Sequence, residues 1–94
     1  MSVYVDPLFV TGLTRQWPYP RACHLFADGD KELHALAARI GLKRTWFQNR
    51  PGKLPHYDLT MRMRRRAISA GAIELTRQEA AAKMRTIKEI PIAI

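Results

Sequence analysis

Apolar and polar positions along this chain fall into short blocks whose period changes from two to near four, which predicts strands alternating with helices. Residues 2–5 are β-branched and aromatic and read as a first or edge strand, with Asp6 at its end and Pro7 stopping it. Thr11, Gly12, Trp17, Pro18 and Pro20 give residues 11–20 the chemistry of turns and loops. Residues 22–27 form an apolar run broken only by His24, short enough for a buried strand, and Asp28-Gly29-Asp30 supplies a turn and a helix cap.

Leu33, Leu36, Ala37 and Ile40 then recur at helical spacing, and Gly41 stands where a left-handed residue would end that helix. Residues 42–48, with Trp46-Phe47, predict a strand or extended edge. Residues 49–55, with Pro51, Gly52 and Pro55, predict the most mobile loop. A second helix is expected to begin between Asp58 and Thr60. Leu59, Met63, Ala67 and Ala70 form its apolar stripe, and Arg62, Arg65, Arg66 and Ser69 its polar face. Arg64 flanks the stripe. Gly71 closes this helix, residues 72–75 read as a short buried strand, and Thr76-Arg77-Gln78-Glu79 matches a capping box that opens a third helix. Ala80, Met84 and Ile87 face inward there, and residues 89–94, interrupted by Pro91, read as a last strand or an apolar tail. The expected fold is a small single α/β domain, a mainly parallel sheet of about four short strands with three helices. Ligands in such folds sit beyond the strand carboxyl ends.

Length and charge narrow the partners. Ninety-four residues make one domain, 1–94, able to bury about two thirds of its unfolded surface. Sixteen Lys and Arg against eight Asp and Glu give a formal charge of +8, which favours nucleic acid, a phosphorylated small molecule or an acidic protein surface. Cys23 is alone, so no internal disulfide or cysteine-rich metal site is possible, and a reducing compartment fits. The N-terminus lacks the basic and apolar regions of a secretory signal, and no stretch approaches ~20 apolar residues. A cytoplasmic protein without a membrane partner is expected.

Candidate chemistry centres on the histidines. His24 is either a core imidazole or a general base or ligand emerging from a strand, whereas His34, near the apolar face of the first helix, reads as structural. His56 and Asp58 are two residues apart and point the same way in extended backbone. Asp58 would orient His56, hold a divalent cation, or cap the next helix. His56, Asp58 and His24 are the catalytic candidates. Arg62, Arg64, Arg65, Arg66, Tyr57, Trp46 and Gln48 are the candidates for phosphate or nucleic-acid contact, the aromatics by stacking on bases. Asp6 and Asp28 lie at strand ends and could converge with Asp58. No spacing resembles a tight zinc motif, so neither metal nor cofactor is expected. There is no glycine-rich phosphate loop and no nucleophile elbow.

Tyr4-Val5-Asp6, Cys23-His24-Leu25, Ala27-Asp28, Glu32-Leu33-His34-Ala35, Ile40-Gly41-Leu42, Trp46-Phe47-Gln48, His56-Tyr57-Asp58-Leu59, Arg64, and Gly71-Ala72 with Glu74 together resemble the 4031 family of domains of unknown function. The resemblance spans residues 3–76 and leaves 76–94 as a C-terminal helix and tail. It implies a small protein of bacteria, phages or prophages, with no assigned activity. It also implies a polar signature of Asp6, His24, Asp28, His34, Trp46, Gln48, His56, Tyr57, Asp58 and Arg64. Pro7 stands where the family often has a second acidic residue, which weakens a carboxylate-rich metal site. Arg65 and Arg66 replace small and apolar residues, which implies extra affinity for polyanions.

The expected function is therefore a small basic accessory protein of phage or prophage type that binds nucleic acid or a nucleotide-like phosphate ligand through a His/Asp/Arg site, with His24, His56, Asp58 and Arg64 lining the pocket. Its setting would be the bacterial cytoplasm, or the host's if phage-encoded. Two alternatives stand beside it. One is a hydrolase or transferase on a phosphorylated substrate, using His56 and Asp58. The other is a non-enzymatic inhibitor that captures an acidic host protein of a nucleic-acid-dependent defence system.

Overall fold

The computed structural model of the chain describes residues 2–89. Its elements are β1 (Val3–Val5), β2 (Phe9–Val10), β3 (Arg21–Ala27), α1 (Asp30–Arg39), a single 3₁₀ turn at Arg44–Trp46, β4 (Tyr57–Leu59), α2 (Met61–Ser69), β5 (Ile73–Glu74) and α3 (Arg77–Glu89). Of the expected tail, residues 90–94 lie outside the described residues.

The helices follow from local chemistry. Gly41 and Gly71 take positive φ, 92° and 111°. Each lets the following amide reach back, Leu42 N–H to the Ala37 carbonyl and Ala72 N–H to that of Ala67, both at 2.9 Å. These are glycine-terminated ends in which a Cβ would be strained. At the start of α2 the cap is Thr60, whose hydroxyl accepts from the Met63 amide at 3.2 Å. Asp58 is thereby released from the capping role. The capping box forms as expected: Thr76 N–H donates to Glu79 at 2.8 Å, and Glu79 N–H donates to the Thr76 hydroxyl at 3.2 Å.

The sheet corrects the expectation twice. It has five strands, and it is mixed: only β1 and β5 pair in parallel, while β3 pairs antiparallel with β1, β2 and β4. The physical reason is that residues 6–20 contain no helix. Without a crossover element the chain folds back as a long irregular hairpin, in which β2 prolongs β1 along the same strand. Val5 opposes Leu25 but Phe9 opposes Ala22, so the register slips by one residue between them, around Pro7. Of the strand or extended edge expected over 42–48, only the single bridge of Gln48 with His56 forms. A 3₁₀ turn and a loop reverse the chain there and deliver β4 antiparallel to β3. The β4–α2–β5 connection is the crossover that carries β5 to the far side of β1. Ile73 and Glu74 are exposed, so β5 is not the buried strand its apolar context suggests.

Alternation along the strands separates two faces. Val3, Val5, Cys23, Leu25, Ala27, Tyr57 and Leu59 face α1 and α2 and form the main core with Leu33, Leu36 and Ala67. Tyr4 and Phe26 face the other way and are covered by Ala80, Met84 and Ile87 of α3. That second cover reaches only one end of the sheet face. The next cross-strand row along it is polar, and it forms the site.

Candidate functional site

His24 is opposite Asp58 in the β3–β4 pairing, and on its other side the Asp6 amide donates to the His24 carbonyl at 3.4 Å. The sheet register therefore lays Asp6, His24 and Asp58 side by side on the face away from α1 and α2. His56 joins them from the bridge it makes with Gln48, in which each residue's amide donates to the other's carbonyl at 2.9 and 3.0 Å. Since His56 and Asp58 are two apart, they share this face.

Each side chain has a dedicated partner. The Asp6 carboxylate accepts twice from His24, from its amide at 2.6 Å and from Nδ1–H at 2.7 Å. The Leu54 carbonyl can only accept, so Nδ1 of His56, 2.7 Å away, carries the proton. Gln48 Nε2 donates to Asp58 Oδ2, and Oδ1 of the same carboxylate lies 3.3 Å from His56 Nε2. The two imidazoles meet edge to face, 5.0 Å between centroids, and Phe9 of β2 stacks on His24 at 5.3 Å. One donor atom each from His24, His56 and Asp58 lie within 4.8 Å of one another.

Electrostatics tie the pair together. Burial disfavours the charged form of His56, but the hydrogen bond and charge of Asp58, with the Leu54 carbonyl and Asp6, outweigh it and raise its pKa. The His56 hydrogen bond, helped by Gln48 against the cost of burial, lowers that of Asp58. A raised histidine stabilises the fold fully below its unfolded pKa of about 6.5 and loses that contribution as pH climbs through its folded value. A lowered carboxylate stabilises above about 3.9 and loses it as pH falls through its folded value. The pair therefore contributes most between about pH 4 and 6.5. In a chelating buffer that keeps stray cations off the histidines, His56→Gln should lower the urea midpoint more near pH 5.5 than near pH 9. An equal loss at both would refute the coupling.

The other expected residues fall elsewhere. Asp28 is at the far end of the sheet, accepting from the Tyr4 hydroxyl at 2.8 Å and pairing with Lys83 at 3.5 Å, so it does not converge with Asp6 and Asp58. Tyr57 is buried and points into the main core, where its hydroxyl meets Nδ1 of His34 at 2.8 Å. It is closed to a base, and His34 is engaged with it and with the Phe47 ring. Trp46 is 51% exposed, with the Lys43 ammonium over its ring at 5.6 Å. Arg64 reaches from α2 on the core side: its Nε donates to the Asp6 carbonyl at 3.0 Å and Nη1 lies 3.4 Å from Glu74. It supports Asp6 from behind and does not join the histidines. Burial, then the Asp6 charge, pushes the Cys23 thiol up to about 12, which removes it as a nucleophile. Arg62, Arg65 and Arg66 are exposed on α2, the helix that covers the opposite face of the sheet. Arg65 and Arg66 line a cleft of about 370 Å³ with Arg39 and Ser69.

Asp6 was legible as a strand-end carboxylate and through the family resemblance; its partnership with His24 is fixed by strand pairing, which leaves no local signal. No described helix is long and apolar enough to cross a membrane. No curated protein and no solved structure matches the chain. A family model, described as a protein of unknown function (DUF4031), matches residues 3–87, and the chain belongs to that family.

Proposed function

We propose that the protein is a small basic nucleic-acid-binding module whose contact surface is the arginine side of α2. The observation that carries this reading is the state of Arg62, Arg65 and Arg66. All three are exposed, and no ion pair engages them among the described residues. Two carboxylates that follow α2 in the chain are otherwise occupied, Glu74 by Arg64 and Glu79 by the Thr76 cap. Uncompensated guanidinium groups on a rigid helix, continued by Arg39 across the cleft, suit the spaced phosphates of a polyanion. The histidine site is the wrong place for a bare phosphate, because Asp6 and Asp58 bring two carboxylates to it. A reducing, cytoplasmic setting suits the buried free thiol of Cys23.

Replacing Arg62, Arg65 and Arg66 with Gln should weaken binding evenly across sequences. It should also flatten the log–log salt dependence by about two to three units, near 0.9 for each phosphate of duplex DNA that is no longer neutralised. Gln keeps the helix, since its propensity is close to that of Arg. Fluorescence anisotropy with a labelled duplex and a single strand at several salt concentrations, in chelator, measures this. Binding that the triple variant leaves unchanged would remove the proposal.

A further inference from the structure

The geometry points to a binding site for one divalent transition-metal ion, of the zinc, cobalt or iron(II) class, formed by Nε2 of His24, Nε2 of His56 and Oδ1 of Asp58. Nδ1–H of His24 donates to Asp6 and Nδ1–H of His56 to the Leu54 carbonyl, so in the neutral imidazoles the lone pairs are on the two Nε2 atoms. His56 Nε2 and Asp58 Oδ1 are 3.3 Å apart, and the three residues' donor atoms fall within 4.8 Å. Two ligands each ~2.0–2.1 Å from a tetrahedral ion are ~3.3 Å from one another, so this pair already has the spacing an ion needs. With His56 neutral, a lone pair and a carboxylate oxygen face each other, an arrangement that asks for a cation or a proton between them.

The surroundings are those of a ligand set. Metal-binding imidazoles are oriented by a carboxylate or carbonyl on the other nitrogen, and metal-binding carboxylates by a hydrogen bond on the other oxygen. Asp6, Leu54 and Gln48 do this for His24, His56 and Asp58 in turn. Charge agrees as well: Asp6 and Asp58 with two neutral imidazoles sum to minus two, which one divalent ion balances. Two nitrogens and one oxygen select a borderline transition metal over magnesium or calcium, which prefer all-oxygen shells. His56 and Asp58 are announced by their spacing of two, whereas His24 is joined to them only by the register of β3 and β4. His24 and Asp58 side chains remain 30% and 32% exposed, so the ion would keep open positions toward solvent for water or a phosphate oxygen.

Titration of the chelator-stripped full chain with Zn²⁺ by calorimetry should give one site per chain, and Co²⁺ should give a visible absorption band at the same stoichiometry. His56→Gln and Asp58→Asn should each weaken Zn²⁺ binding at least tenfold, and Asp6→Asn, acting through His24, by about 10–100-fold. Arg65→Gln should leave it unchanged. A readout on the unaltered chain needs no variant to fold: Zn²⁺ should shift the ring NMR signals of His24 and His56 but not of His34. No saturable Zn²⁺ or Co²⁺ binding would overturn the site, as would binding that shifts His34 alone or that His56→Gln and Asp58→Asn leave intact. Nucleic-acid binding measured in chelator is a separate result, so either claim can fail without the other.

Discussion

Leu25→Ala is expected to lower stability by about 2–5 kcal/mol, a large share of the roughly 5–14 kcal/mol that a chain of this length has in total. Leu25 is wholly buried, and in the central strand it stands between Val5 on one side and Tyr57 on the other. Truncation removes apolar packing against both neighbouring strands and the helices below, and the row cannot collapse without moving β1 or β4. That row is adjacent to Asp6, His24 and Asp58, so the loss should also loosen the register that assembles the site. For a domain this small each kcal/mol shifts Tm by about 4–8 °C, so a fall of at least about 8 °C is expected by calorimetry. Val10→Ala, at a side chain 75% exposed, should stay within about 0.5 kcal/mol and serves as the control. A Leu25→Ala loss below about 1 kcal/mol would contradict the close packing of this row.

What the sequence discloses and what it hides divide along the range of the interactions. The helix ends at Gly41 and Gly71 and the Thr76–Glu79 box are decided within one turn of chain, and they are readable there. Strand order is decided by contacts far apart in sequence, so alternation of strands and helices suggested a parallel sheet that the helix-free hairpin of residues 2–28 does not allow. β2 escapes notice because both of its residues are exposed and leave no alternating pattern. The site behaves the same way. The closeness of His56 to Asp58 follows from their spacing of two. The row of Asp6, His24 and Asp58 needs two strand registers, and the burial of Tyr57 between two polar neighbours reverses the role its context suggests. Arg64 sits among four arginines in six residues and looks like the others until the fold turns it inward.

That difference makes Arg64 the sharpest separation of support from contact. Arg64→Lys should cost about 1–2 kcal/mol of stability while leaving the salt dependence of nucleic-acid binding as it was. The Arg64 side chain is only 17% exposed, and its Nε–H reaches the Asp6 carbonyl at 3.0 Å from beneath the sheet. A lysine ammonium ends a flexible stem and has no nitrogen at the Nε position, so the substitution leaves that carbonyl short of its charged donor. The Glu74 half of the clamp adds little, because that carboxylate is 58% exposed and screened by water. Since Asp6 holds His24 through two hydrogen bonds, the backbone shift that follows should broaden or displace the His24 ring signals in NMR while those of His34 stay put. Arg65→Gln predicts the opposite pair of results: stability nearly unchanged, and a salt slope shallower by about 0.9. If Arg64 instead met the phosphates directly, Arg64→Lys would weaken nucleic-acid binding at unchanged urea midpoint, and the division of labour within α2 drawn from this fold would be wrong.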